Sequence, residues 1–425
     1  MPKTATAPAP ALPATDGSAG TEPSLTSRDF TWYWRAYTVS IFGDQVTLVA
    51  LPIAVFARTQ SALAVGIAAS MQGATAVVFG LLAGALADRL RHRPVLVATD
   101  LARAAVLGVV ALMATRSSTY PVGVLYLAAF LLGAFGILHG AAAGSALPLV
   151  VRGRDLLRAN GRLSGSESVG NAGGPALAGA LTSISVGLAF AVDALTFAVS
   201  AIGMSKVRRF REAAPPQHSG ASMGQDIREG LRAVASDRWV VKSMLLIAAM
   251  NVMAVAAEAQ FIPFAKTLLH AGPVAIGVYF AIGGAAGVAT AVALGRSKRT
   301  RGDAMILGVA AFGIGILLAG LFPSRAMVGV TYILAGSGAV LAITHWASLR
   351  QQRFPLRILG RVTVATRMVL LGVMPLAAVA GGAIASAAGS DTLFVVAGCV
   401  GLTACLVAWA AGLGALRLDD VITGS

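Results

Sequence analysis

Charge is scarce in this chain: of its 425 residues only 12% are Asp, Glu, Lys or Arg, about half the share in a soluble globular domain. So little charge cannot face water over a fold of this size, which excludes a soluble enzyme or binding module. Cysteine is nearly missing. Cys399 and Cys405 both lie in the last apolar run, six residues apart and so on different sides of a helix. They support neither a disulfide nor a metal site, and no zinc-type His/Cys spacing occurs elsewhere. There is no GxxxxGK-Ser/Thr phosphate loop, so ATP does not drive the protein directly. No cofactor is expected, and no polar stretch is long enough to hold an enzyme. Residues 1–28 lack an apolar core, so they read as a disordered tail and not as a cleavable signal peptide.

What the chain does have is apolar length. Hydrophobic residues make up 56% of it, and 49 glycines let helices approach closely in lipid. Runs long enough to cross a hydrocarbon core, about 20 residues, fall at 31–57, 63–87, 94–114, 120–148, 162–183, 186–206, 240–265, 273–295, 303–322, 326–348, 362–388 and 391–416. The expected fold is an all-α membrane protein of twelve transmembrane helices. The net charge of +15 does not indicate nucleic acid, because the basic residues sit in short clusters between apolar runs. Of the 33, only Arg58, Arg116, Lys266 and Arg325 fall in the alternate connections. This asymmetry predicts both termini in the cytoplasm of a cell-membrane protein.

The longest polar segment, 207–239, contains Ile227, Leu231 and Val234 beside Arg228, Arg232 and Asp237, the pattern of an amphipathic helix on the membrane face. It separates a first six-helix bundle, 29–206, from a second, 240–416, with a short tail at 417–425. The halves echo each other. Asn160-Gly161-Arg162 followed by Pro175 and Gly179 parallels Gly360-Arg361 followed by Pro375 and Gly381. Two such repeats suit alternating access to a midplane site.

The connection after the second run reads Gly84-Ala-Leu-Ala-Asp88-Arg89-Leu-Arg91-His-Arg93. It resembles the signature of the major facilitator superfamily, with Arg91 where the family has a second glycine. The resemblance implies two pseudo-symmetric six-helix bundles, with Gly84, Asp88 and Arg89 bracing one half against the other. In the fifth run, Gly161, Gly170, Gly174, Pro175 and Gly179 match a pattern associated within the superfamily with proton-exchanging exporters. An arginine in the fourth run, another exporter mark, is missing. A closer resemblance is to the branch holding enterobactin exporters, macrolide-efflux-like proteins and lysophospholipid transporters. It rests on Ser40-x-x-Gly43-Asp44, Ala50-Leu51-Pro52, Asp100-x-x-Arg103, the stretch Arg154 to Asn160, Asp193-Ala-x-x-Phe197 and Gly360-Arg361-Val362.

Ionisable residues inside apolar runs are functional candidates because lipid makes them expensive. Asp44 sits near mid-membrane, on a stripe with Tyr33, Tyr37, Ser40 and Thr47 spaced four, three, four and three. It is either the coupling acid or a structural aspartate; Glu258 and Glu167 are the next coupling candidates. Asp193, Thr196 and Ser200 form a shorter stripe. Asp100 and Arg103 are expected to pair with each other or with the Asp88 loop. Tyr37, Ser40, Thr47, His139, Asn171, Asn251 and His345 are candidates for a substrate cavity, although a hydrogen-bonded packing role is the commoner one for an intramembrane histidine and a substrate contact or proton relay the minority reading. The resulting expectation is a monomeric, proton-coupled exporter of a small amphipathic compound such as a drug, siderophore or secondary metabolite. A lipid or solute transporter without proton coupling is the alternative, and a non-transporting sensor or scaffold a third.

Overall fold

The structure is a computed structural model that describes residues 24–87, 91–116, 120–151, 155–212, 223–294 and 302–416. The expected tail at 1–28 is outside the described residues up to position 23. So are the tail at 417–425 and the loop residues Asp88 and Arg89. The helices of the first half are α1 (Arg28–Thr59), α2 (Ala62–Ala87), α3 (His92–Arg116), α4 (Val122–Val150), α5 (Asp155–Ile184) and α6 (Val186–Ser205). Two short helices follow, α7 (Arg209–Glu212) and α8 (Met223–Ser236). The second half holds α9 (Arg238–Thr267), α10 (Pro273–Leu294), α11 (Gly302–Leu321), α12 (Arg325–Arg353), α13 (Leu356–Gly372), α14 (Met374–Ala388) and α15 (Ser390–Ala410). No strand occurs among the described residues.

Ten spans are long and apolar enough to cross a membrane, with Arg361–Ala388 counted once across α13 and α14. The 26-residue α2 and the 30-residue α5 complete the twelve. Exposed Leu127, Leu195, Leu245, Leu307 and Leu406 dot the outer faces, which a lipid environment accommodates and water would not. The multi-pass membrane assignment stands on these faces.

Local chemistry sets the helix ends. Ser27 caps α1 by accepting from the Phe30 amide at 3.1 Å, and Asp237 caps α9 by accepting from the amides of Trp239 and Val240 at 2.9 and 3.2 Å. Each cap satisfies amides that have no partner inside the helix. Two boundaries differ from the hydropathy reading. Helix α5 starts seven residues before its apolar run, at Asp155, an acid favoured in a first turn. The run 362–388 is broken at Val373, because Pro375 has no N–H to continue the ladder.

Within the first half α3 packs on α6, α2 on α4, and α1 on α5 and α6; within the second, α11 packs on α12 and α15, and α10 on α12. The halves meet along two crossings, α5 with α10 and α2 with α14. Both crossings lie toward the end of the short connections. A Cβ placed on Gly277 would meet the Pro175 carbonyl and come within 3.0 Å of the Ala176 Cα. At the second crossing, one on Gly382 would lie 3.1 Å from the Leu63 Cα, and Gln260 Nε2 donates to the Ala62 carbonyl at 3.0 Å. Backbones therefore touch directly at that end, as small residues permit. Toward the other end, which carries the start of α1, Ser164, Gly165, Glu167 and Ser168 of α5 are exposed, and so are Ala291 and Val292 of α10. There the halves stand apart.

The linker helix α8 packs on α13, where Glu229 Oε2 accepts from Arg361 Nη1 at 2.7 Å. The Gly230 position abuts the Arg361 carbonyl, leaving no room for a side chain. Val234 is buried, whereas Leu231 is exposed.

Candidate functional site: a polar cluster and a central cavity

The stripe on α1 turns into its own half. Tyr33 Oη donates to the Ala143 carbonyl of α4 at 3.0 Å, and Tyr37 Oη to Glu167 Oε1 of α5 at 2.5 Å. Ser40 is buried. Thr47 Oγ1 donates to Asp193 Oδ2 of α6, and Asp44 Oδ1 lies 3.3 Å from Arg103 Nη1 of α3. Position 43 must be small for this, since a Cβ on Gly43 would strike Thr196 and Asp193.

Around Asp44 the four helices assemble one network. Arg103 Nη2 donates to Asp100 Oδ1 at 2.6 Å, one turn away on α3. Nδ1 of His139 on α4 is 3.1 Å from the same oxygen and 3.2 Å from Thr99 Oγ1. Ser200 Oγ donates to Asp100 Oδ2 at 2.6 Å, and Thr196 Oγ1 to Asp193 Oδ1 at 3.0 Å. The Arg103 guanidinium also lies 4.0 Å from the centre of the Phe197 ring. Asp44 and Asp100 thus share the Arg103 guanidinium, His139 adds to Asp100, and Asp193 is held by the Thr47 and Thr196 hydroxyls. Three carboxylates therefore stand around the single Arg103 guanidinium, in a setting where unpaired charge is costly. Asp100 is fully covered, whereas Asp44 keeps 55% of its side-chain surface accessible.

The second element is a cavity of about 580 Å³ between the halves, a volume that suits a drug-sized molecule. The first half contributes Gln45, Leu48, Ser168, Asn171 and Pro175. Most of the remaining wall is apolar and comes from the second half, including Phe261, Phe280, Phe312, Tyr332 and Phe394, with Glu258 among them. Gln45 Nε2 donates to Asn171 Oδ1 on this wall.

Of the residues proposed from sequence for a substrate cavity, Asn171 is on this wall. Tyr37, Ser40 and Thr47 are not; α1 shows the cavity Gln45 and Leu48 instead. The placement has a helical cause: the stripe through Asp44 is the polar seam against α3 to α6, and the cavity face lies about 100° round. His139 belongs to the cluster. His345 is buried on α12 with Nδ1 bonded to the Leu341 carbonyl at 2.8 Å, one turn back. Asn251 is half-buried and off the wall. Of the coupling candidates, Glu258 lines the cavity, Asp44 faces Arg103 and Glu167 is held by Tyr37.

The glycine–proline pattern has two separate jobs. Gly170 and Gly174 fit α5 against α1: a Cβ on Gly170 would strike Ile41, and one on Gly174 would stand 2.5 Å from Gln45 Cβ. Pro175 and Gly179 meet α10 instead, at Gly277 and Pro273. Gly84 lies in α2, ahead of the undescribed loop. Sequence reasoning missed the aromatic wall and the α10 glycines. The three-residue spacing of Glu258 and Phe261, which puts both on one helix face, was the available signal for the wall.

The family model described as Major Facilitator Superfamily matches residues 34–375. No curated protein sequence matches. Among solved structures, the chain is similar to a bacterial homologue of the iron transporter ferroportin in an inward-facing state, with TM-score 0.71 and 17% identity over 90% of this chain and 98% of that one. It is similar to a mutant of the nucleoside transporter NupG, with TM-score 0.70 and 14% identity over 90% and 99%. A bacterial homologue of the human lysosomal transporter Spinster, inward-facing and unoccupied, gives TM-score 0.69 and 13% identity over 92% and 98%. At these identities the likeness is one of fold.

Proposed function

From the premise that the chain belongs to the major facilitator superfamily, we propose that it is a proton-coupled exporter of a small amphipathic compound, working by alternating access. The observation that carries this reading is a mostly apolar cavity between the halves, sealed at one end by direct backbone contact, beside a carboxylate-rich cluster. Among the described residues, Arg93, Arg158, Arg350 and Arg353 lie at the helix ends of the open side, so that end is cytoplasmic by the positive-inside rule and the state is inward-open. Substrate enters the cavity from the cytoplasm. The α5–α10 and α2–α14 crossings then separate while the other end closes.

Asp44 is the coupling acid in this reading. With the cavity open outward it takes a proton, which offsets the carboxylate excess around Arg103; with the cavity open inward it releases that proton. The two states bind the proton unequally, which is what allows a gradient to drive the cycle. Asp100, Arg103, His139 and Asp193 face Asp44 from α3, α4 and α6 and set that difference; Glu167 of α5, bonded to Tyr37, borders the same face. Uptake of a compound panel into inside-out vesicles, with and without an imposed pH gradient, tests the reading. Gradient-dependent uptake of at least one amphipathic compound is expected; uptake that ignores the gradient favours an uncoupled lipid or solute transporter.

A further inference from the structure

The central cavity is electrically one-sided. Among the described residues that line it there is one carboxylate, Glu258, and no Lys or Arg. Glu258 lies on α9, facing the cavity, and no described side chain hydrogen-bonds or ion-pairs with it. It contrasts with Asp44, Asp100 and Asp193, each held by partners. An ionised carboxylate on an otherwise apolar wall favours a countercharge when a ligand covers it.

The wall beside it is aromatic. Phe261, one turn along α9, sits 5.4 Å from Phe280 and 4.9 Å from Tyr332 between ring centroids. Phe280 and Tyr332 are 5.3 Å apart. All three line the cavity, and Tyr279 backs them at 6.0 Å from Phe261. Ring faces carry partial negative charge, so such a wall favours cations as well as apolar surface. Gln45, Ser168, Asn171 and Thr331 are the neutral polar groups elsewhere on the wall.

We propose that this cavity binds a monovalent organic cation with an apolar or aromatic body, its charged centre against the Glu258 carboxylate and its body against Phe261, Phe280 and Tyr332. The proposal names the substrate class for the exporter reading above and rests on it. It separates two tasks by half: the cluster around Asp44 handles the proton, and the cavity acid handles the charge of the cargo.

Tetraphenylphosphonium and tetraphenylborate, nearly the same shape with opposite charge, are suitable probes. Each is measured separately by equilibrium dialysis against the full-length protein in phosphatidylcholine nanodiscs, with empty nanodiscs as the baseline and no ion gradient. Saturable binding of the phosphonium and none of the borate is expected. Glu258→Gln should weaken the phosphonium about ten- to a hundredfold, the effect of deleting one charged partner. Glu258→Asp should fall between, and Phe280→Leu should lose affinity while keeping the charge preference. No saturable phosphonium binding by the wild type, equal binding of the borate, or full affinity in a folded Glu258→Gln variant would overturn the proposal. If Glu258→Gln does not fold, unchanged affinity in both Glu258→Asp and Phe280→Leu overturns it. Charge-selective binding without gradient-driven transport would leave this site standing and sink the exporter reading. Transport without charge-selective binding would do the reverse.

Discussion

Gly277 is where the closed end of the molecule is most sensitive to a single methyl group. Its position faces the Pro175 carbonyl, with Ala176 Cα and Pro175 C each 3.0 Å from a would-be Cβ. These are backbone atoms, so relief requires α5 and α10 to move apart. Overpacking of this kind costs about 1–3 kcal/mol. The strain exists only while the crossing is closed, so Gly277→Ala shifts the two-state ratio by roughly five- to a hundredfold toward the opposite opening, at about 1.4 kcal/mol per factor of ten. Gly272, which has nothing within 4 Å, is the matched control on the same end. Spin labels at Ser183 and Leu268, both exposed next to this crossing, in a background lacking Cys399 and Cys405, report the separation by double electron–electron resonance. A longer-distance population is expected in Gly277→Ala and not in Gly272→Ala. Identical distance distributions in all three proteins, with the Gly277 variant folded, would refute the reasoning.

Asp44→Asn is expected to abolish accumulation driven by a pH gradient while sparing downhill exchange, and Asp44→Glu to keep part of the coupling. Both activities are read in one proteoliposome preparation, and gradient-driven accumulation by the Asn variant would make Asp44 structural. Arg103→Leu removes the cation that serves Asp100 and Asp44, leaving a fully buried carboxylate with Ser200 and His139 alone. Breaking such a buried pair costs about 3–5 kcal/mol, so thermal unfolding in detergent should start well below the wild-type temperature; an unchanged transition would show the cluster is not charge-balanced by Arg103. Reporter fusions at Ser425 should report a cytoplasmic C-terminus, and an external signal would reverse the assigned direction of transport.

Periodicity made the architecture legible because twelve apolar runs leave few ways to arrange them, and the basic clusters punctuate them. Two boundaries escaped it for local reasons: Asp155 begins α5 among polar residues, and Pro375 interrupts an otherwise continuous apolar run. The polar stripe of α1 was equally visible, but a stripe says only that it avoids lipid. It cannot say whether the polar partner is a cavity or a neighbouring helix, and here Arg103 and Asp193 are the partners. Glu258 was visible as an acid in a helix; its aromatic surroundings were not, since Phe280 and Tyr332 come from two other helices. Gly277 was one glycine among 49 until α5 was seen against it.

Proton coupling is the central claim, and one measurement meets it most directly. The purified protein in proteoliposomes is given an imposed pH gradient as the sole energy source, and accumulation of an amphipathic compound is followed before and after a protonophore. Accumulation above equilibrium that collapses when the gradient is dissipated is the predicted result. Transport that only equilibrates the compound, at the same rate with or without the gradient, would contradict it.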